Sequence, residues 1–151
     1  MTVFMLDTCI WRDFYEDRKS MGGDPIGKHA SSLLLKIISN RDTIIYSEVI
    51  VAELLKDYSN EEVSELLSFL SATGIAERVD ITKEERDEAK ALCRERKVSF
   101  ADCFIAIHAR NHKAVLVTRD KHFSLLADII KPVRPEEVSR TSSQGQPGAP
   151  C

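Results

Sequence analysis

SFADCFIAIHARNHKAVLVTRDKHF, residues 99–123, decides the fold. Ser99 is a good helix cap, and Phe100, Cys103, Phe104 and Ile107 then recur at the spacing of one helical stripe. The spacing predicts a helix from Ser99 to about Asn111. Asp102 lies beside that stripe and is followed on its own face by Ala106 and Ala109. Small residues let a carboxylate-bearing face approach another element closely. Ala114 to Val117 is a short apolar run of strand length, and Thr118-Arg119-Asp120 follows it directly. Helix, strand and polar loop in this order form part of a parallel-sheet unit, where sites form beyond the carboxyl ends of strands.

The same alternation extends in both directions. Val3 to Leu6 reads as a first strand ending at Asp7, and Cys9 to Tyr15 as a short helix with Ile10, Trp11 and Phe14 apolar. Asp17 to Gly27 is Gly-rich and charged and reads as a loop, with Pro25 suited to opening a helix that runs to about Ser39. Thr43 to Tyr46 is β-branched and strand-like, and Ser47 caps a helix to about Asp57. Ser59-Asn60-Glu61-Glu62 and Thr82-Lys83-Glu84-Glu85 both have the form of a capping box. The first opens a helix with Val63, Leu66, Leu67 and Leu70 on one face, ended by Gly74; the second opens a charged helix to about Lys97. Ala76 to Val79 is a weaker strand. Beyond the opening segment, Phe123 to Asp128 reads as a last helix and Ile130 to Val133 as an edge strand. Short strands alternating with helices imply an α/β domain whose parallel sheet is covered on both faces.

The chain has 151 residues, enough for one domain with a sizeable core, which we assign to residues 1–138. From Ser139 the composition turns to Ser, Gly, Gln and Pro, so 139–151 is expected to be a disordered tail. Cys9, Cys93, Cys103 and Cys151 form no C-x-x-C pair, and the composition is not that of a disulfide-rich secreted scaffold. Cys93 and Cys103 fall on apolar helical stripes and read as core residues. Cys9 has no adjoining His or Lys to make a thiolate. No stretch is long and apolar enough to span a bilayer, and the amino terminus lacks the basic region of a signal peptide, so the expected compartment is the cytoplasm. The formal net charge of −3 neither demands nor excludes a nucleic-acid partner, because local patches decide that.

Four acids fall where a site would form. Asp7 and Asp120 follow strands, while Glu53 and Asp102 sit on helices able to flank the same crevice. Each also has an ordinary structural role open to it. Asp7 suits a helix cap and Asp120 an Asx turn. Asp102 lies in a first helical turn, where a carboxylate favours the dipole. Glu53, three and four residues after Ile50 and Val49, could pair with Lys56.

Leu6-Asp7-Thr8, Ser47 with Glu53 in SEVIVAELL, and the opening segment with its A-D-x-x-I-A helix and T-R-D strand end occur in an order that resembles the PIN domain family, and within it the VapC-type toxins. The resemblance spans Val3 to about Val133. It implies a three-layer α/β/α sandwich with a central parallel sheet. It also implies a metal site of Asp7, Glu53, Asp102 and Asp120, with Thr118 orienting a ligand or the attacking water. The activity implied is an Mg²⁺- or Mn²⁺-dependent endoribonuclease, the toxin of a toxin–antitoxin pair, leaving 5′-phosphate and 3′-hydroxyl ends. The implied partners are RNA and an antitoxin covering the acidic site, and the Val63–Leu70 helix face could join a homodimer or belong to the core.

The residue chemistry agrees with that expectation. Two unit charges 4 Å apart cost about 4 kcal/mol at an effective dielectric of 20, so converging carboxylates call for cations. Oxygen-only ligands favour hard ions, hence Mg²⁺ or Mn²⁺ and not Zn²⁺. From His108 to Arg134 six Lys or Arg face two Asp, and Arg110, Arg119 and Lys121 are the candidate phosphate contacts. Trp11 and Tyr15 could stack on bases, although core packing suits them better. His108 and His112 have zinc-ligand spacing, but Ala109 stands where H-E-x-x-H has Glu, and a surface or helix-end pair is the simpler reading. Haloacid-dehalogenase-type phosphatases want D-x-D after the first strand, and Asp7-Thr8-Cys9 lacks it. Two other readings remain at this point: a non-catalytic PIN-like module that binds RNA or protein, and an RNA-processing nuclease without an antitoxin.

Overall fold

The computed structural model describes residues 1–17 and 22–138; the proposed tail and part of the Asp17–Gly27 loop lie outside them. Among the described residues, four parallel strands form one sheet: β1 (Val3–Leu6), β2 (Thr43–Tyr46), β3 (Ala76–Arg78) and β4 (Val115–Val117), in the order β3-β2-β1-β4. In β1 and β2 three consecutive residues are buried, with no alternation. Successive side chains point to opposite faces, so unbroken burial means that helices cover both. This is the three-layer α/β/α arrangement expected.

Among the described residues, these α-helices connect and cover the strands: α1 (Thr8–Glu16), α2 (Ile26–Asn40), α3 (Glu48–Leu54), α4 (Asn60–Thr73), α5 (Lys83–Arg96) and α6 (Phe100–Asn111). Local chemistry sets their ends. Asp7, Ser47, Ser59, Thr82 and Ser99 each accept a backbone N–H at a helix start, and both capping boxes close. Gly74 ends α4 at φ 75°, a conformation that L side chains rarely adopt. α1 packs on α2, and α5 on α6. Trp11 is buried, its indole N–H donating to Leu6 O at 3.1 Å, so it is a core residue and not a base-stacking one. Cys103 is buried, and Cys93 is partly buried against the core.

Three expectations are corrected. α3 stops at Leu54, short of Asp57. The last helix is a 3-10 helix, Lys121–Leu126, that begins directly after Asp120 and ends before Asp128. The Ile130–Val133 edge strand shrinks to one parallel bridge between Val117 and Val133, beside which Thr118 N donates to Val133 O at 2.9 Å. A short helical turn at 135–138, unforeseen in sequence, follows it.

The strand order positions the site. From β1 the chain proceeds outward to β2 and β3, then returns to place β4 on the other side of β1. The order therefore reverses between β1 and β4, and in parallel sheets a crevice opens at such a point, beyond the carboxyl ends. Leu6 is in register with Val117, so Asp7 and Thr118 emerge side by side.

Candidate active site

Asp7, Glu53, Asp102 and Asp120 line one cleft of about 140 Å³, together with Thr8, Cys9, Arg12, Ala101 and Ile105. Each acid also performs its ordinary structural task. Asp7 caps α1, accepting from Thr8 N at 2.8 Å through Oδ1. Asp120 caps the 3-10 helix, accepting from His122 N at 2.9 Å. Glu53 pairs with Lys56 at 2.7 Å, and Asp102 stands in the first turn of α6, its N–H bonded to Ser99 Oγ at 3.2 Å. The structural and functional readings are compatible, because a capping carboxylate keeps lone pairs for the cleft.

Asp7 is the most constrained of the four. Its Oδ2 accepts from the Thr118 hydroxyl at 2.7 Å and from Cys9 Sγ at 3.5 Å. The same Thr118 oxygen accepts from Asp120 N at 3.0 Å, so one hydroxyl ties the acids after β1 and β4 together. Burial nevertheless pushes the Asp7 carboxyl above its ordinary range, against the Thr118, Thr8 and Cys9 hydrogen bonds that lower it. Burial first, and then the charges of Asp7 and Asp120, push Asp102 up to about 6. These are desolvated anions facing like charge, the condition that a bound cation relieves. Burial, and then Asp7, raise Cys9 to about 12, so it is a half-buried neutral thiol and not a nucleophile.

The donor set fits a hard divalent ion: four carboxylates with a hydroxyl behind one of them. The most compact group is not the four acids but Asp102, Asp120 and His122, whose ligand atoms lie within 4.8 Å of one another. His122 Nδ1 lies 3.0 Å from Asp120 Oδ1, and an imidazole beside carboxylates is better tolerated by Mn²⁺ than by Mg²⁺. His122 and Arg12 escaped the sequence reading. The available signals were D-x-H after the strand and an Arg one helical turn beyond Thr8. Arg12 pairs with Asp57, and its Nε is buried with no partner among the described residues.

The candidate RNA contacts fare differently from the acids. Arg119 does not line the cleft: it pairs with Asp13 at 3.2 Å and with Glu136 of the 135–138 turn at 2.9 Å. Arg110 is forked onto Glu88 by two 2.8 Å bonds. Lys121 is exposed next to Asp120. Tyr15, partly exposed, donates to Glu62 and packs edge-on against Tyr58. On α4 the apolar face divides: Val63, Leu66 and Leu70 enter the core, while Leu67 borders an open groove of about 700 Å³ with Val51 and Leu55 of the α3 region. Among the described residues, no helix is long and apolar enough to cross a membrane.

Comparison with known proteins extends this geometry. No curated protein sequence matches the chain significantly. Among solved structures, a toxin–antitoxin complex from Klebsiella pneumoniae is similar at a TM-score of 0.60 and 19% identity, over 87% of this chain and 98% of that one. VapBC2 from Rickettsia felis, bound to a DNA fragment from its promoter, is similar at 0.58 and 25% identity, over 88% and 97%. FitAcB from Neisseria gonorrhoeae is similar at 0.56 and 18% identity, over 89% and 99%. The PIN domain family model matches residues 4–129, which include all four acids and all of the sheet but Val3. With its acids gathered at the β1–β4 crevice and a family match over most of its length, the chain belongs to the PIN domain family, a nuclease family.

Proposed function

We propose that this chain is a divalent-metal-dependent endoribonuclease and the toxin of a toxin–antitoxin pair. The observation that carries the reading is the convergence of Asp7, Glu53, Asp102 and Asp120 on one narrow cleft, where burial and like charge disfavour the ionised forms of Asp7 and Asp102.

Asp7, Glu53, Asp102 and Asp120 would hold Mg²⁺ or Mn²⁺, with His122 at the margin. The ion, when bound, supplies charge stabilisation at the phosphate and a more acidic water. The residues of the chain do the rest. Thr118, Thr8 and Cys9 fix the Asp7 carboxylate in one orientation, so its lone pairs are aimed without reorganisation. Arg12, lining the same cleft, is placed to meet a phosphate oxygen. Lys121, exposed beside Asp120, is the phosphate contact we retain; Arg119 and Arg110 serve the fold. The cleft has about the size of a phosphodiester group.

The toxin reading rests on the Klebsiella pneumoniae structure described as a toxin–antitoxin complex, and on the likeness to VapBC2 from Rickettsia felis. The open groove supports it physically. Val51 and Leu55 line the groove, while Glu53, two residues from each and so on another side of α3, lines the acidic cleft. An apolar antitoxin segment fits the groove, and a basic side chain fits the acidic cleft; a second copy of this chain is the rival occupant of the groove. The test is cleavage of end-labelled single-stranded RNA with Mg²⁺, Mn²⁺ or EDTA. Metal-dependent cutting that leaves 5′-phosphate ends is expected. Cutting that persists in EDTA would overturn the reading, and binding without cutting would favour a non-catalytic module.

A further inference from the structure

His108 is fully buried, and neither of its ring nitrogens has a hydrogen-bond partner among the described residues. The sequence reading made His108 and His112 a surface or helix-end pair. Both do lie at the end of α6, His108 in its last turn and His112 as its C-cap, but His108 is not at the surface: it turns inward toward α5. A buried imidazole must satisfy at least one nitrogen, because an unpaired polar group in the interior is costly. The groups facing it are Glu85 of α5 and His112 at the end of α6. One ligand atom from each of Glu85, His108 and His112 lies within 4.8 Å of the other two.

The surroundings of all three are arranged as those of metal ligands usually are. Glu85 is itself buried and closes the Thr82 capping box through Oε1, which accepts from Thr82 N at 3.0 Å. Its Oε2 accepts from Asn111 Nδ2 at 3.1 Å, which fixes the plane of the carboxylate and leaves a lone pair. His112 Nδ1 lies 3.0 Å from His108 O. A carbonyl only accepts, so Nδ1 donates, and Nε2 is the nitrogen left to serve as a ligand. The Arg110–Glu88 fork bridges the same two helices beside the site. The His108 and His112 rings stack with centroids 4.4 Å apart, so convergence on one ion needs a turn of the His112 ring at the helix end.

We propose that Glu85, His108 and His112 form a second metal site, for a borderline transition-metal ion of the Zn²⁺ class, that clips α5 to α6. Two imidazole nitrogens and one carboxylate oxygen suit Zn²⁺, Co²⁺ or Ni²⁺ and not Mg²⁺. The site is separate from the acidic cleft: His108 lies six residues along α6 from Asp102, about 9 Å at the helical rise. Its role is to hold the helix that carries Asp102 and not to act on RNA.

The experiment uses untagged full-length chain carrying Asp7→Asn and Asp102→Asn, which disables the acidic cleft. Co²⁺ titration is followed by visible absorption and Zn²⁺ competition, and melting temperature is read with and without Zn²⁺. The expected result is one equivalent of Co²⁺ with nitrogen-ligand bands, displaced by Zn²⁺, and a Zn²⁺-induced rise in melting temperature. Adding His112→Ala, or separately Glu85→Gln, should weaken binding at least tenfold; both positions are chosen because truncating buried His108 endangers folding. Absence of Co²⁺ binding in the cleft-disabled chain would overturn the proposal and leave a trapped water as the partner of His108. Binding that survives both additional substitutions would overturn it as well.

Discussion

The Thr118 hydroxyl donates to Asp7 Oδ2 at 2.7 Å across 111 residues of chain, and accepts from Asp120 N at 3.0 Å. One small side chain thus couples the two strand ends that frame the cleft. Parallel register brings it there: Leu6 pairs with Val117, so the next residue on each strand emerges at the same level.

Replacing Thr118 by Val keeps the shape and removes both hydrogen bonds. Loss of a group that orients a ligand typically costs 10–100-fold in metal affinity or activity, and we expect a loss of about that size here. Thr118→Ser should recover most of it. Mn²⁺ affinity and RNA cleavage rate, measured on both variants, check this; a Val variant as active as the parent would contradict it.

The cleft should also show its charge in the pH dependence of stability. Asp102 is raised from 3.8 to about 6 in the folded chain, so folding favours its neutral form. That contribution is fully present below pH 3.8 and is lost as pH rises through about 6. A divalent cation binds the ionised carboxylate and competes with protons. The rise in melting temperature on adding Mn²⁺ should therefore be large at neutral pH and shrink as the pH falls below about 6. Thermal scans at neutral and mildly acidic pH test the point; an equal rise at both would contradict it.

Arg119 and Lys121 should separate cleanly. Arg119 is mostly buried and joins buried Asp13 to Glu136, so Arg119→Ala should destabilise by roughly 3 kcal/mol, the scale for breaking a buried pair. Lys121→Ala should leave stability within about 0.5 kcal/mol. It should instead weaken RNA binding and reduce the salt slope by about 0.7, as for one phosphate contact on a single strand. Urea unfolding and salt-dependent RNA binding on both variants decide. The opposite pattern would restore Arg119 as the RNA contact.

Cys9 should be inert in the native protein despite lying at the cleft. Its thiol is raised to about 12, and at neutral pH the thiolate fraction is negligible. Mass-spectrometric mapping after brief alkylation should find Cys9 unmodified until the chain is unfolded. Rapid native labelling of Cys9 would contradict the burial and electrostatics described.

The sequence made the sheet and the acids legible because both are local signals. Strand ends, caps and apolar stripes are written in neighbouring residues, and Asp7 and Asp120 follow strands by simple adjacency. What it hid depends on tertiary partners. Arg119 looked like a free cation because Asp13 and Glu136 are distant in sequence, although Pro135-Glu136-Glu137 carries the helix-start signal of the 135–138 turn that presents Glu136. Arg12 and His122 reach the site only through the packing of α1 and the 3-10 helix. His108 looked superficial until α5 was laid over it. The Ile130–Val133 run has strand composition, yet only Val133 bridges to β4.

The central claim, that the acidic cleft cuts RNA with a divalent ion, is tested most directly by single-turnover cleavage of one RNA by wild type, Asp7→Asn and Asp102→Asn in Mn²⁺. Melting temperatures measured alongside confirm that each variant is folded. The account predicts that both folded variants lose at least about a hundredfold in rate, the scale of a lost catalytic electrostatic contact. Folded variants that cut as fast as wild type would contradict it.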